Sequence, residues 1–145
     1  PCVDGLPDAR PKKARRKLAP PKKALMVKQQ WADTILSGGK TWEIRGCRTT
    51  VRGRIHLAQA GSGTLVGEVR ITDCFPVTLE TLARRSKEHR ITSVLGVVAK
   101  YRRIYAWVLA DAVCYSSPIA YRHPPGAVTW VRTGDMGCAF RGVKR

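Results

Sequence analysis

The chain has 145 residues, which suits a single domain with one modest hydrophobic core. Its 27 Lys and Arg outnumber 10 Asp and Glu, and the formal net charge of +17 makes a polyanion, above all nucleic acid, the expected partner. An anionic membrane surface is the alternative. It is disfavoured because the sequence has neither a long apolar run nor a basic amphipathic helix with bulky apolar residues.

The first 23 residues differ in composition from the rest of the chain. Residues 1–23 contain five prolines, eight Lys and Arg against two Asp, and no hydrophobic stripe. This composition predicts a disordered basic arm that contacts RNA, with a nuclear localisation patch as the alternative. The candidate RNA-binding side chains of the arm are Lys12, Lys13, Arg15, Arg16 and Lys17. No apolar segment marks a secretory signal, and the prolines and aspartates fit a mitochondrial transit peptide poorly.

The globular part is predicted to span residues 24–132 and to open with a short strand at 24–28. A helix follows, because four apolar residues fall on one helical face and two glycines then end the pattern. The apolar residues are Trp31, Ala32, Ile35 and Leu36, and the glycines are Gly38 and Gly39.

The segment after the glycines alternates as a β-strand. Glu43 and Arg45 fall on one face of this strand, and Trp42 falls on the other. Lys40 stands at the mouth of the turn, so a lysine, a carboxylate and a guanidinium gather beside an apolar wall. This arrangement is typical of pockets for flat polar ligands. An ordinary helix–turn–strand with a surface ion pair is the alternative.

Residues 51–59 also alternate between apolar and polar side chains. The residues predicted to face the core are Val51, Ile55 and Leu57. The opposite face carries Arg52, Arg54 and His56, which indicates either an edge that binds phosphates or an ordinary solvated sheet face. A Gly-Ser-Gly turn joins this strand to another at 65–73, so the two strands are predicted to form a hairpin.

The histidines and cysteines show no metal-ligand spacing, so neither a metal ion nor a cofactor is expected. We interpret them as buried thiols and ordinary surface imidazoles. Five scattered cysteines without a C-x-x-C pair also favour a reducing compartment inside the cell. The cytoplasm or the nucleus is the expected location, and an organelle matrix stays open.

The later elements predict a mainly β fold. Thr78 is predicted to cap a helix at 79–89 whose buried stripe is Leu79, Leu82 and Ala83. The remaining segments are a central strand at 104–115, a loop at 116–125, a closing strand at 128–132 and a basic tail at 133–145. Helical patterns flank several short strands, which favours an α+β, mainly β fold: a small β-barrel with two helices and extended basic termini.

One spaced motif, Gly38-x-Lys40-x-x-Glu43-x-Arg45, follows a helix that opens Gln30-Trp31-Ala32. This pattern resembles the signature of the ASCH domain (activating signal cointegrator homology), a family of the PUA-like superfamily of small β-barrels. The resemblance extends over residues 24–132, through further blocks at 52–58, 66–69 and 123–131. It implies RNA or nucleotide binding in a cleft lined by the motif. The candidate contacts are Trp31, Lys40, Trp42, Glu43 and Arg45, with Arg52 and Arg54 on the sheet.

A few small members of that family are amidohydrolases that act on modified cytidine. In those members the motif lysine is followed by Thr-x-Thr, and the second threonine contributes to the site; Glu43 stands there in this chain. They also use a glutamate on the helix matching 79–89, where only Glu88 is near. Lys40 matches, and it is a candidate nucleophile or base if desolvation lowers its pKa. Because one of the three positions matches, we expect negligible deacylation of N4-acylated cytidines, and catalysis by Lys40, Glu43 and Glu88 is the alternative to binding.

Two non-catalytic functions also compete. The chain either binds RNA through the motif pocket and its basic surface, or it is a structural subunit of a large ribonucleoprotein and is held by its tails. Basic tails on a small globular body are typical of proteins embedded in RNA, as ribosomal proteins are. The sequence therefore predicts ribosomal RNA or another structured RNA as the partner, neighbouring ribonucleoprotein subunits, and no membrane.

Overall fold

Residues 20–134 are described by a computed structural model of the chain. Within that range the strands are β1 (Lys23–Val27), β2 (Trp42–Arg45), β3 (Gly53–Gln59), β4 (Thr64–Pro76), β5 (Tyr105–Ala120) and β6 (Trp130–Arg132). The helices are α1 (Gln29–Leu36), α2 (Leu79–Arg84), α3 (Ser86–His89) and α4 (Val94–Lys100).

The strands form one sheet in the order β2-β5-β4-β3-β1-β6. β1 runs parallel to β3, and the other neighbouring pairs are antiparallel. The register between the long strands β4 and β5 shifts at three places, and such irregularities increase local twist and bend a sheet. The sheet therefore curls into a half-barrel. The predicted α+β, mainly β architecture and the β3–β4 hairpin are confirmed.

Helix α1 packs against the concave sheet and fixes the start of the motif. Ala32 and Ile35 are buried in the same apolar cluster as Leu57 and Trp107. The close approach depends on Gly67, because a Cβ atom there would lie 2.4 Å from a methyl carbon of Leu36. This contact therefore fixes the position of the end of α1, and of the turn to β2, relative to the sheet.

The paired backbone extends slightly beyond the predicted globular limits. Lys23 is the first residue of β1 and pairs with Arg132. Thr133 is buried, and its backbone N–H donates to the Lys22 carbonyl oxygen over 2.8 Å. Lys22 and Lys23 thus belong to the folded part. The other predicted arm contacts lie outside the described residues; they are Lys12, Lys13, Arg15, Arg16 and Lys17.

The predicted helix at 79–89 is wrong in its length and its buried face. Thr78 does cap it, since its side chain accepts from the Thr81 N–H. The helix breaks at Arg85, whose backbone leaves the helical region, so α2 and α3 are separate. Leu82 is buried, but Leu79 and Ala83 are exposed because α2 touches the rest of the molecule over only a narrow stripe.

The predicted environments are wrong for two of the histidines and two of the cysteines, whereas His123 is exposed as predicted. His56 and His89 are buried, while Cys47 and Cys114 are exposed. His56 shares a face of β3 with Ala58, and a second apolar cluster covers that face. The curled sheet is therefore buried on both sides at this point, which a simple alternation pattern does not predict.

The predicted loop at 116–125 is partly strand, because β5 continues to Ala120. Pro118 is tolerated there since β2 pairs only with residues 105–108 of β5, which leaves that edge unpaired farther along. Helix α4 was not predicted. The closing strand β6 begins at Trp130, two residues later than expected.

Candidate functional site

The turn between α1 and β2 presents Lys40 to the interior. Gly38 has a φ of +83°, a conformation that an L side chain rarely adopts, so glycine is needed to end the helix and reverse the chain. The Lys40 N–H donates to the Thr34 carbonyl oxygen (3.0 Å), and the Thr41 N–H donates to the Glu88 carbonyl oxygen (2.9 Å). The motif backbone is thereby tied to both α1 and α3.

Lys40 is a buried lysine with several partners. Its side chain is only 2% exposed, and its Nζ donates to the His89 carbonyl oxygen over 2.7 Å. The same nitrogen lies 3.6 Å from Glu43 Oε2 and 4.4 Å from the centroid of the Trp31 ring. A carbonyl, a carboxylate and an aromatic face therefore surround the ammonium group.

The segment around His89 forms the seat for this lysine. The His89 ring accepts from the Ile91 N–H at Nδ1 (2.9 Å), and its Nε2 donates to the Leu82 carbonyl oxygen (2.6 Å). These two bonds require the neutral ring with its proton on Nε2. Arg90 has a φ of +59° and donates from Nε to the Gly39 carbonyl oxygen over 2.7 Å. The orientation of the His89 carbonyl group is thus fixed from both sides.

Glu43 and Arg45 form a second charged pair on β2. Arg45 Nε donates to Glu43 Oε1 over 3.0 Å, and its Nη2 donates to the Met26 carbonyl oxygen over 2.7 Å. The guanidinium carbon of Arg45 also lies 5.9 Å from the centroid of the Trp107 ring. Glu43 is 5% exposed, and its Oε2 is buried and makes no hydrogen bond. This oxygen lies 3.6 Å from Lys40 Nζ, so its charge is compensated by an ion pair while its lone pairs accept no hydrogen bond.

These side chains lie in one cleft of about 370 Å³. Its walls come from α1, the ends of β1 and β2, and α4, and include Met26, Trp31, Lys40, Glu43, Arg45, Val97 and Tyr101. Ligand sites in proteins commonly enclose about 300–1,000 Å³ of mostly apolar surface with a few convergent polar groups. The cleft fits that description for a small, flat ligand.

Burial dominates the electrostatics of Lys40. Desolvation lowers the pKa of this lysine, the nearby Glu43 carboxylate opposes the shift by attraction, and Arg45 adds a smaller repulsion in the same direction as burial. Lys40 therefore gives up its proton at a lower pH than a lysine in water. Its attraction for an anionic ligand decreases with rising pH in a range where surface lysines are still charged.

The structure brings together four of the residues predicted from the motif, namely Trp31, Lys40, Glu43 and Arg45. Trp42 does not line the cleft; its ring packs edge-to-face on Phe75 with centroids 5.2 Å apart. Arg52 and Arg54 lie elsewhere, near the start of β3.

The candidate catalytic glutamate, Glu88, also lies apart from the cleft. Its carboxylate pairs with Arg85 over 3.3 Å, and only its backbone oxygen contacts the motif, through Thr41. Sequence reasoning missed the α4 wall. Ser93 caps α4 by accepting from the Gly96 N–H over 3.2 Å. In the sequence, the start of this helix was indicated only by a serine three residues before a glycine in an apolar run.

A family model for the ASCH domain matches residues 25–119, which is more than half of the chain. The chain belongs to the ASCH family. The family is associated in general with RNA binding. The predicted family and its PUA-like half-barrel fold are thus confirmed.

Solved structures of an ASCH protein from Zymomonas mobilis have the same fold. The crystal structure of ASCH from this organism is 18% identical, with a TM-score of 0.66 over 85% of this chain and 96% of the other. A tyrosine-to-phenylalanine variant of it, ZmASCH, is 19% identical, with a TM-score of 0.67 over 84% and 98% of the two chains. A serine-to-alanine variant is 19% identical, with a TM-score of 0.66 over 87% of this chain and 100% of the other. Identity this low establishes the fold and nothing about activity. A search of functionally curated proteins gives no match.

Two further properties concern the described part of the chain. No helix within residues 20–134 is long and apolar enough to cross a membrane. No three His, Cys, Asp or Glu side chains in that range are grouped so that they could hold a metal ion.

Proposed function

We propose that this ASCH protein binds single-stranded RNA by holding an unpaired base in the motif cleft. The observation that carries the proposal is the Glu43 carboxylate, which lines a ligand-sized cleft and whose Oε2 pairs with Lys40 over 3.6 Å but accepts no hydrogen bond. Leaving such an acceptor unsatisfied costs about 1–3 kcal/mol, and more when the group is charged. A base N–H group that reaches this carboxylate would supply the missing donor.

The remaining walls fit the same ligand. Proteins that recognise single-stranded RNA stack bases on aromatic rings and hydrogen-bond their edges. Trp31 offers an aromatic surface, and Lys40 and Arg45 offer donors for a base carbonyl or a phosphate. Lys28 and Lys100 also line the cleft and are exposed, so they are suitably located to meet the backbone of the strand.

The wider role in a ribonucleoprotein is part of this proposal, and it rests on charge alone. The formal net charge of +17 supports contact with more than one nucleotide. The tails that would anchor the chain in a ribosome or a similar particle fall mostly outside residues 20–134. Ribosomal RNA, neighbouring subunits and the intracellular location remain predictions from the sequence.

The amidohydrolase alternative has one observation in its favour, which is the lowered pKa of Lys40. A neutral amine is a better nucleophile or base than an ammonium group. The Nζ of Lys40, however, already donates to the His89 carbonyl oxygen, and the Glu88 carboxylate pairs with Arg85 outside the cleft. Glu43 also stands where the resemblance implies threonine, so only Lys40 of the three groups matches, and we rank binding first.

The aromatic wall provides the first test. Trp31→Ala should weaken binding of a short single-stranded RNA about 5- to 150-fold, because stacking one base on an aromatic side chain contributes about 1–3 kcal/mol. Fluorescence anisotropy at one fixed salt concentration measures the change.

Trp42→Ala is the matched control, since it removes a tryptophan that packs on Phe75 outside the cleft. Any effect of the control on affinity should follow its effect on stability, which thermal unfolding reports. Equal affinities for the folded Trp31→Ala protein and the parent chain would contradict the proposed base site.

A further inference from the structure

A second concave site lies at the opposite end of β1 from the motif cleft. The motif cleft takes Met26 and Val27 from the end of β1, whereas this one takes Lys22 and Lys23 from its start. Its volume is about 340 Å³. Its lining residues are Lys22, Lys23, Thr50, Val51, Arg52, Arg54 and Ile55. We call it the basic pocket, because four of these residues are cationic and none is acidic.

The fold fixes the backbone on both sides of the basic pocket. Parallel pairing of Ala24 with His56 sets the start of β1 beside Arg54. The Pro21 carbonyl oxygen is hydrogen-bonded by both the His56 ring and the Thr133 hydroxyl, each over 3.1 Å. The two lysines therefore project from an anchored segment and not from a free tail.

The guanidinium groups are held in the same way. Arg52 Nη1 donates to the Thr49 carbonyl oxygen (3.0 Å) and to the Val51 carbonyl oxygen (2.9 Å). Arg54 Nη2 lies 3.0 Å from Glu68 Oε1 and donates to the Asp111 carbonyl oxygen over 3.3 Å. Both arginines thus reach the pocket with one end already fixed, which reduces the entropy lost when a ligand binds.

Arg54 also carries an unused donor. Its Nε is buried and makes no hydrogen bond. Buried guanidinium N–H groups are normally paired, and carboxylates or phosphates are their preferred partners. An oxyanion in the basic pocket would lie beside this guanidinium group, whose unpaired N–H adds to the positive potential there.

The local charge is not neutralised by the described residues. Glu68 compensates Arg54, and exposed Asp73 lies 3.9 Å from Arg52. No ion pair within residues 20–134 involves Lys22 or Lys23, so the pocket keeps an excess of positive charge. Thr50 lines the same pocket, and threonine is among the residues that bind phosphate oxygens in nucleic-acid complexes.

We infer that the basic pocket is a phosphate-binding site separate from the motif cleft. The five residues of β1 separate the two sites by roughly 15 Å at about 3.3 Å per residue. An RNA strand that occupies both would place a base in one and a backbone phosphate, more than one nucleotide away, in the other. Inorganic phosphate or the phosphate tail of a free nucleotide shares the same chemistry. The basic pocket would add a contact to the proposed RNA ligand, but phosphate binding there does not depend on the motif cleft.

The test uses the full chain and a triple variant, Lys22→Gln, Lys23→Gln and Arg52→Gln. Arg54 is kept because it pairs with buried Glu68, and its loss could unfold the protein. The control triple variant is Lys87→Gln, Arg102→Gln and Arg103→Gln, which removes the same charge from exposed positions. Three probes are titrated: inorganic pyrophosphate, the uncharged nucleoside cytidine, and a 12-nucleotide single-stranded RNA.

Pyrophosphate should shift the amide NMR signals of residues 22–23 and 50–54 in the parent and the control, and not in the pocket variant. With RNA, the slope of log affinity against log salt should fall by about 1–2 in the pocket variant, at about 0.7 per phosphate, and by less in the control. Pyrophosphate shifts together with a reduced RNA slope identify a general oxyanion site, and a reduced RNA slope alone identifies a site for a backbone phosphate.

Equal slopes in the two triple variants, together with no pyrophosphate shifts at the pocket, would overturn the inference. The binding of cytidine distinguishes this outcome from a failure of the proposed base site in the motif cleft. Its binding should be the same in all three proteins, because it carries no phosphate and the altered residues do not line the motif cleft.

Discussion

Glu43→Gln is expected to weaken binding of single-stranded RNA at least about tenfold. The glutamine keeps the shape of the side chain and an oxygen that can accept from Arg45 Nε, but it removes the negative charge at the Oε2 position, which pairs with Lys40 and accepts no hydrogen bond. Hydrogen bonds to charged groups contribute about 1.5–3 kcal/mol, and each 1.4 kcal/mol is tenfold in affinity. The loss should occur at low and high salt alike, because an anionic residue makes no phosphate contact.

Isothermal titration with the parent, Glu43→Gln and Glu80→Gln measures this effect. Glu80 is the matched control: it is an exposed glutamate that pairs with Arg84 on α2. The control should bind as the parent does. Removing a carboxylate from a buried ion pair can cost about 3–5 kcal/mol of stability, so each protein is first checked by thermal unfolding. Glu43→Asp, which retains the charge but withdraws it by one methylene, is the substitute if the glutamine variant does not fold. Unchanged affinity in a folded variant would refute the role of Glu43.

Deleting residues 1–19 is expected to flatten the salt dependence of RNA binding by roughly 2 units. The segment carries six Lys and Arg, and about half of them engaging phosphates at about 0.7–0.9 each gives that slope. The deletion stops at 19 because Lys22 and Lys23 belong to the folded part. Affinity at low salt should fall steeply, whereas cytidine binding should not change.

A series of binding isotherms between low and high salt measures the slope. Arg45→Gln provides a contrast, since it removes one cation from the cleft and should change the slope by at most about one unit. An unaltered slope after the deletion would show that the arm contributes no phosphate contacts. The ribonucleoprotein prediction would then lose its main support.

The motif half of the site was predictable because its parts are close in sequence. Lys40, Glu43 and Arg45 lie within six residues, so one turn and one strand fix their relative positions. Trp31 follows from helical spacing in α1. Strand alternation already put Trp42 on the face opposite Glu43, and it packs on Phe75 accordingly. Of the two tryptophans predicted as the wall of the cleft, Trp31 lines it and Trp42 does not.

The other half of the site depends on contacts that are distant in sequence. The His89 carbonyl group reaches Lys40 only because α3 ends at Arg90 in the left-handed conformation. Helix α4 closes the cleft. Its own helix propensity is weak, because it combines valines with a glycine. Such tertiary contacts leave no periodic signal in the sequence.

The burial of His56 and the ion pair of Arg54 with Glu68 have the same origin. In this half-barrel a second apolar cluster covers part of the outer face of the sheet. Neither the amount of curl nor the identity of the covered strands follows from alternation alone. The strand face for which the sequence left open a phosphate-binding edge or a solvated surface therefore contributes a buried polar network and, at its start, lines the basic pocket.

Locating a bound base tests the proposed function most directly. We would determine the structure of the full chain with a short single-stranded RNA. A base N–H should lie within about 3 Å of Glu43 Oε2, with the ring against Trp31 and Lys40 still bonded to the His89 carbonyl oxygen. A complex in which the RNA binds elsewhere, while Lys40, Glu43 and Arg45 contact only one another, would contradict the proposal and leave the motif as a structural ion-pair network.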